Sequence, residues 1–129
     1  MAPGKVLVVD DDPVVLQLLR LNFEMEGWQV VAAADGEEAI RRALEDHPDA
    51  VVLDVMMPGM TGLEAAGRLR GDPATASLPI LLLSAKAQHA DVAAGLAVAD
   101  EYVTKPFEPL ELLERVATLA ARTGESAPR

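Results

Sequence analysis

The sequence contains no cysteine, and its basic residues are far outnumbered by acidic ones. Without cysteine, disulfides, thiolate catalysis and cysteine-ligated metal sites are all excluded. The 21 acidic and 11 basic residues give a formal net charge of -10, which leaves no basic stripe to displace the counterions of a polyanion. Direct binding of nucleic acid by this chain is therefore not expected.

Long apolar segments are also missing from the start of the chain. The first apolar run, residues 6–9, is shorter than the apolar region of a signal peptide and far shorter than a membrane span. We therefore expect a soluble, cytoplasmic protein with no membrane partner. Half of the 129 residues are apolar, which is enough for one domain of this length to bury a hydrophobic core.

Five short apolar runs are spaced along the chain, and each is predicted to be a strand. Valine, leucine and isoleucine fill the first, third and fourth runs almost without interruption, which is typical of strands covered on both faces in a parallel sheet. The runs are residues 5–10, 28–33, 50–54, 79–84 and 101–104.

Segments of helical length follow these runs. The first helix is predicted over residues 13–26, between Pro13 and Gly27. Its apolar residues at helical spacing are Val14, Leu18, Leu21 and Met25. Four more helices are predicted around residues 39–44 with an end near 47–48, around 63–69 with an end at 71–73, around 91–98, and over 109–122. The helix around 91–98 is only weakly patterned.

Strands that alternate with helices of this length require right-handed parallel crossovers. The predicted fold is therefore a three-layer α/β domain, a doubly wound parallel sheet of five strands with five helices, (βα)5. The domain is assigned to residues 1–122. Residues 123–129 are polar and contain a proline, so they are expected to be a disordered tail or the start of a linker.

Three consecutive carboxylates follow the first strand directly, in the stretch VLVVDDDP of residues 6–13. Two unit charges about 4 Å apart repel by about 4 kcal/mol at an effective dielectric of about 20, so this cluster needs a counter-charge. Asp12 precedes Pro13 and is predicted to cap the first helix. Asp10 and Asp11 lie where open parallel sheets bind ligands, outside the carboxyl ends of the strands.

Reactive side chains also end the third, fourth and fifth strands, at Asp54, Ser84 and Lys105. Carboxylates that converge at one edge of a sheet suit Mg²⁺, a hard cation that is bound through oxygen. Asp54 is predicted to be a nucleophile for a phosphoryl group, with the metal and Lys105 sharing the charge on the transferring oxygens. Ser84 is expected to hydrogen-bond a phosphoryl oxygen.

Four motifs in combination resemble the receiver domain of response regulators, the phosphoacceptor half of bacterial two-component signalling. They are VLVVDDD, VVLDVMMPGMTGLE, PILLLSAKA and YVTKPF, and the resemblance covers about residues 5–122. It implies a flavodoxin-like fold and a metal site formed by Asp10, Asp11, Asp54 and the backbone carbonyl of Met56.

The same resemblance implies roles for residues at the ends of the later strands. Asp54 would be the phosphorylated residue, Lys105 would contact the phosphoryl group, and Ser84 would be the switching hydroxyl. Tyr102 would be a rotating aromatic, although a lone tyrosine on a short strand can also simply pack at the sheet edge with its hydroxyl in water. The Lys105–Pro106 peptide would be cis.

The function implied by the resemblance is a switch rather than a dedicated catalyst, with at most weak self-dephosphorylation. A histidine kinase or phosphotransfer protein would donate the phosphoryl group to Asp54 with Mg²⁺ bound. Phosphorylation would draw Ser84 inward and make room for Tyr102. The face formed by the fourth helix, fifth strand and fifth helix would then change its affinity for a downstream protein or output domain.

The chain departs from the family pattern just before the fifth strand. It reads LAVADEY over residues 96–102 where the family usually reads AGADDY, so the habitual glycine is absent. The segment from Ser84 to Lys105 is also one residue shorter than is usual in the family. Residues 87–99 also contain no lysine or arginine. We therefore do not expect the strong, charge-paired dimer that receivers of winged-helix transcription factors form through this face.

Other functions fit parts of the sequence. Residues 10–14, DDDPV, match the D-x-D-x-T/V signature of haloacid-dehalogenase-like phosphatases, in which Asp10 would be the nucleophile, but no further acidic pair follows Lys105 to hold their metal. A receiver-like interaction module that takes no phosphate is a second alternative, and the complete set of site residues argues against it. A flavodoxin-like cofactor site is disfavoured because no phosphate-binding loop follows the first strand.

Overall fold

The computed structural model describes the backbone of residues 3–126 and the side chains of residues 3–122, and strands alternate with helices throughout. The strands are β1 (Lys5–Val9), β2 (Gln29–Ala33), β3 (Ala50–Asp54), β4 (Ile80–Ser84) and β5 (Glu101–Thr104). The helices are α1 (Pro13–Met25), α2 (Gly36–Asp46), α3 (Gly62–Gly71), α4 (His89–Leu96) and α5 (Pro109–Ser126). Within this part of the chain, no helix combines the length and the apolar character needed to cross a membrane.

The five strands form one parallel sheet in the order β2-β1-β3-β4-β5. This is the doubly wound topology predicted from the sequence. The strand order reverses between β1 and β3, whose carboxyl ends border the crevice in which open α/β sheets bind ligands. Val9 pairs with Leu53, and Asp54 pairs with Leu83, so the residues that end β1, β3 and β4 lie side by side at that edge.

The core has two apolar layers, one on each face of the sheet. Every residue of β3 and β4 is buried, and because side chains alternate along a strand, both strands contribute to both layers. Leu53 and Leu82 belong to the layer under α2 and α3. Val52 and Leu83 belong to the layer under α1 and α5. The buried strands therefore hold the side chains at their carboxyl ends in fixed positions.

Helix α1 differs from the prediction in which of its faces is buried. The apolar residues that predicted the helix are all exposed, namely Val14, Leu18, Leu21 and Met25. Leu19 and Phe23, one helical turn apart, are fully buried instead. The ring of Phe23 meets that of Trp28 edge to face, with centroids 5.7 Å apart, and this contact fixes the buried face. Since α1 has apolar residues on two faces, helical spacing alone could not identify the one that meets the sheet.

The ends of several elements differ from the prediction by a few residues. The first strand ends at Val9 because the carboxylate of Asp10 accepts from the N–H of Asp12 at 2.9 Å and turns the chain toward α1. Helix α4 begins and ends two residues earlier than the predicted 91–98. Helix α5 continues past the predicted end at 122, as far as Ser126. Residues 127–129 of the predicted tail lie outside the described residues.

The segment between α4 and β5 closes without a glycine in the left-handed region, and none of residues 96–100 has a positive φ. The N–H groups of Val98 and Ala99 both donate to the carbonyl of Gly95, at 3.1 and 2.9 Å. The guanidinium of Arg70 donates to the carbonyl of Val98 at 3.0 Å and to the carboxylate of Asp100 at 2.8 Å. A tight turn held by a side chain from α3 thus replaces the glycine that is habitual in this segment.

Candidate functional site

Three aspartates meet at the carboxyl edge of the sheet, between β1 and β3. Asp10 and Asp54 are almost completely buried, at 1% and 2% exposure, whereas Asp11 is exposed. One carboxylate oxygen from each of the three lies within 4.8 Å of the others. The pairing of β1 with β3 places Asp10 beside Asp54, and the turn that follows Asp10 brings Asp11 to the rim.

Lys105 is the cation that faces this cluster. It follows β5, and its peptide bond to Pro106 is cis, as predicted. Its Nζ donates to Oδ2 of Asp10 at 3.1 Å and to Oδ1 of Asp54 at 3.0 Å. Within the described residues, one ammonium group paired with a cluster of three carboxylates leaves a formal excess of two negative charges. The protein itself therefore offsets only part of the repulsion among these acids.

Burial affects the protonation of the two partners differently. It raises the pKa of Asp54, because the charged carboxylate loses hydration, and the hydrogen bond from Lys105 opposes this rise without cancelling it. The negative charge of Asp10 raises the pKa of Asp54 further. Burial alone would lower the pKa of Lys105, but hydrogen bonds to Asp54 and Asp10 outweigh it, so that this pKa is raised. Lys105 therefore stays charged, and a further cation would ease the ionisation of Asp54.

The pocket fits a divalent cation both by its donors and by its charge. All three side chains offer carboxylate oxygen, the type of ligand that Mg²⁺ prefers, and negative charge remains after Lys105 has been paired. Met56 lies in the loop directly beyond β3, and its backbone N–H acts to lower the pKa of Asp54. The residues present are thus compatible with the binding of a metal ion.

Ser84 and Tyr102 are joined through the backbone of one loop residue, Lys86. Ser84 ends β4 and is fully buried, and its Oγ accepts from the N–H of Lys86 at 3.1 Å. The hydroxyl of Tyr102 donates to the carbonyl of Lys86 at 2.8 Å, in a hydrogen bond that is exposed to solvent. Sequence reasoning missed Lys86 because the residue acts through its peptide groups, which carry no residue-specific signal.

Two further residues shape the site from the ends of helices. Asp12 caps α1, which confirms its predicted role, because its Oδ1 accepts from the N–H of Val14 at 2.9 Å. Gly62 was not singled out from the sequence, yet a Cβ there would overlap the carbonyl oxygen of Asp54 and lie 2.8 Å from the Cα of Val55. The available signal was a glycine within the motif VVLDVMMPGMTGLE that contains Asp54, since glycine permits a close approach of backbone segments.

A family model described as the response regulator receiver domain matches residues 6–117. The chain belongs to this family. Receiver domains are signalling switches of two-component systems rather than dedicated enzymes, and the acidic pocket of this receiver is typical of their phosphoacceptor site.

Individual relatives agree with the family. The receiver is 43% identical over 125 residues to the alkaline phosphatase synthesis transcriptional regulatory protein PhoP of Bacillus subtilis strain 168. This match covers 96% of the receiver and 51% of PhoP. The Francisella response regulator 1452 receiver domain has a TM-score of 0.87 and 36% identity, covering 93% of this chain and 98% of that one. The chain spans about half the length of the curated relatives that it matches.

A third relative was solved with a metal ion. The receiver domain of the sensor histidine kinase PA1611 from Pseudomonas aeruginosa PAO1 has a TM-score of 0.84 and 28% identity, covering 92% of this chain and 98% of that one. Its crystal structure contains a magnesium ion coordinated in the active site cleft.

The geometry of this receiver does not favour the haloacid-dehalogenase-like alternative. The first acidic residues beyond Lys105 have other partners: Glu108 accepts from backbone N–H groups at the start of α5, and Glu111 pairs with Arg115. The acids that meet at the sheet edge are instead Asp10, Asp11 and Asp54. The cluster thus includes an aspartate from β3, which the phosphatase hypothesis leaves without a role.

Proposed function

We propose that this receiver accepts a phosphoryl group on Asp54 from the phosphohistidine of a histidine kinase or phosphotransfer protein. The placement of Asp54 carries the proposal: it ends β3, is 2% exposed, and receives Nζ of Lys105 at 3.0 Å beside Asp10 and Asp11. In the transfer, a carboxylate oxygen of Asp54 forms a bond to phosphorus while the bond from phosphorus to the imidazole nitrogen breaks. The nitrogen keeps the electron pair, and with a proton from solvent the donor leaves as neutral imidazole.

Lys105 and Ser84 are proposed to bind the oxygens of the transferred group. Lys105 already donates to Asp54, and its raised pKa keeps it cationic. Once Asp54 carries the phosphoryl group, Lys105 can donate to the phosphoryl oxygens instead of the carboxylate. Ser84 ends the neighbouring strand and would donate its hydroxyl to a phosphoryl oxygen. Both residues bind oxygens rather than activate water, so we expect at most weak self-dephosphorylation.

Asp10, Asp11, Asp54 and the backbone carbonyl of Met56 are the proposed ligands of a Mg²⁺ ion. A bound divalent cation supplies positive charge beside the phosphoryl oxygens, which helps an anionic donor to approach an anionic pocket. The magnesium ion in the PA1611 receiver domain supports this choice of metal. Lys105 holds the carboxylates of Asp10 and Asp54 together before any donor arrives.

The proposed output is a change in the face formed by α4, β5 and α5. A phosphoryl dianion on Asp54 would draw the hydroxyl of Ser84 toward itself and away from the N–H of Lys86. The loop that contains Lys86 would then move, together with the carbonyl that accepts from Tyr102. Tyr102 also lines a groove between α4 and α5. A movement of its side chain would therefore alter the affinity of this groove for a downstream protein or output domain.

The proposed partners are proteins rather than DNA. PhoP is named as a transcriptional regulatory protein, but this receiver matches only about half of its length. The formal charge of -10 disfavours contact of the receiver itself with a phosphate backbone. Any effect on transcription would therefore pass through an output domain or a downstream protein.

The test is intact-mass spectrometry after incubation with acetyl phosphate and Mg²⁺. The native chain should gain one phosphoryl group, Asp54→Asn should gain none, and omission of Mg²⁺ should strongly reduce the gain. Asp35→Asn is the matched control, because it neutralises an exposed aspartate that caps α2, and asparagine caps equally well. A gain that persists in Asp54→Asn would indicate Asp10 as the nucleophile, and no gain in the native chain would indicate an interaction module that takes no phosphate.

A further inference from the structure

Helix α4 has a glycine in direct contact with the ring of Tyr102. Gly95 is buried, and a Cβ built on it would overlap Cδ2 of Tyr102 and lie 2.8 Å from its Cε2. The same Cβ would lie 3.2 Å from Cδ1 of Leu82, which is fully buried in β4 and has little room to move. The ring of Tyr102 can occupy its observed position only because residue 95 has no side chain.

The backbone of α4 does not by itself explain this glycine. Gly95 lies within the helix and does not have a positive φ, and at such a position glycine is less favourable than alanine. Its carbonyl accepts from Val98 and Ala99, but any residue offers a carbonyl. Packing against Tyr102 therefore accounts for the glycine. Gly67 in α3 provides a contrast, because a Cβ there would meet nothing within 4 Å.

The side chain of Tyr102 is held at both ends. Its ring lies against Gly95 of α4, and its hydroxyl donates to the carbonyl of Lys86, in the loop that also donates to Ser84. A side chain at position 95 would push the ring outward and would pull the hydroxyl away from Lys86. Rotation of the ring would, in turn, leave open space beside α4.

We propose that Gly95 is the positioning residue through which the ring of Tyr102 is coupled to α4. With the ring against Gly95, α4 cannot approach β5 at this point; with the ring displaced, it can. The coupling is reciprocal, so a partner that binds α4 differently in the two arrangements also shifts the position of the ring. The proposal rests on the proposed function, because it specifies how Tyr102 transmits phosphorylation to the face formed by α4, β5 and α5.

The first experiment uses the single tyrosine of the sequence, because 3-fluorotyrosine labelling then gives one ¹⁹F signal, from Tyr102. In Gly95→Ala this signal should move toward its position in the denatured chain, and the change caused by acetyl phosphate and Mg²⁺ should be largely lost. Gly67→Ala, the matched control, should keep the native signal and the native response. A native signal position or an undiminished response in Gly95→Ala would overturn the proposal.

A second experiment separates this role from a general loss of stability. Gly95→Ala should lower the Tm when Tyr102 is present and should lower it much less in Tyr102→Ala, where only the contact of the new Cβ with Leu82 and the helix preference of alanine remain. Equal losses of Tm in the two backgrounds would overturn the proposal. These thermal measurements and the signal position need no phosphorylation, so they test Gly95 even if the native chain gains no phosphoryl group and the proposed function fails.

The phosphoacceptor chemistry itself should survive the substitution. Gly95→Ala leaves Asp54, Asp10 and Lys105 unchanged, so the gain in mass with acetyl phosphate should equal that of the native chain. Loss of the gain in Gly95→Ala alone would show that the substitution damages the acidic pocket, which would overturn the positioning role.

Discussion

Asp54 and Asp10 are two buried carboxylates that share one ammonium group, that of Lys105. A pocket selected for stability alone would replace at least one of these acids with a neutral residue, because removing a charge from water is costly unless it is fully paired. Sites that bind ions or transfer charged groups commonly keep such unfavourable charge. The excess of negative charge at this edge is thus better explained by the chemistry of phosphoryl transfer than by folding.

The pH dependence of stability should reveal the unfavourable charge on Asp54. The pKa of Asp54 is raised by burial, so the folded state binds this proton more tightly than the unfolded state does. Asp54 therefore lowers the free energy of unfolding as the pH rises from the ordinary aspartate range through the raised pKa. In urea unfolding without metal, Asp54→Asn should match the native chain at acid pH and exceed its stability near neutral pH. Asp35→Asn should show no such divergence, and parallel curves for Asp54→Asn and the native chain would contradict the argument.

Residues that bring a reactive side chain to a strand end were predictable from the sequence. Asp10, Asp54 and Lys105 could be assigned to one site because the carboxyl ends of parallel strands share an edge, and the structure brings them into contact. Lys86 contributes only peptide groups, and Gly62 contributes only the absence of a Cβ. Contributions of this kind depend on which backbone segments meet, so they become visible only once the fold is known.

At the scale of elements, the segment between α4 and β5 depends on a side chain from α3. The guanidinium of Arg70, 26% exposed, has four acceptors, the carbonyls of Ala76, Leu78 and Val98 and the carboxylate of Asp100. The same oxygen of Asp100 that receives Arg70 also accepts from the N–H of Ile80, at 2.8 Å. Arg70 therefore joins the loop before β4 to the loop before β5 and fixes the start of both strands.

Removal of this guanidinium should destabilise the fold. Arg70→Met keeps the apolar stem of the side chain but leaves several partly buried acceptors without a donor, so we expect a loss of about 3 kcal/mol in the free energy of unfolding. Arg68→Met is the matched control, because Arg68 is an exposed arginine on the same helix, and its replacement should change stability by less than about 0.5 kcal/mol. Urea unfolding measures both values, and equal stability of the two variants would contradict the role given to Arg70.

The elements differ in how well their sequences defined them. The strands were located closely because each coincides with a short apolar run. For the buried strands, this run alone was enough to locate the strand in the sequence. Helix α1 was located correctly, but the apolar residues that predicted it are not the ones that meet the sheet. Phe23 and the exposed Leu18 are both apolar, and the choice between them depends on contact with Trp28. The turn before β5 could not be predicted, because it is held by Arg70, which lies 28 residues before Val98 in the sequence.

At the scale of the whole molecule, the distribution of charge decides how two copies of the receiver can meet. The chain has a formal charge of -10, and residues 87–99, which include α4, contain no lysine or arginine. Arg115 of α5 donates to Glu101 at 2.6 Å and to Glu111 at 3.0 Å within the same chain. Its charge is already compensated, so a dimer through α4, β5 and α5 would have to exchange these bonds for equivalent bonds between copies.

We therefore expect the receiver to remain monomeric after phosphorylation. Sedimentation velocity with acetyl phosphate and Mg²⁺ should give the monomer mass at micromolar concentration for the native chain, as for Asp54→Asn, the variant that is not phosphorylated. Salt distinguishes the possible forces: screening weakens repulsion between acidic surfaces and would promote association, whereas it weakens a dimer held by charge pairs. A tight dimer that forms only on phosphorylation and dissociates at high salt would contradict this expectation, since it would require Arg115 to leave Glu101 and Glu111 for acids of the second copy.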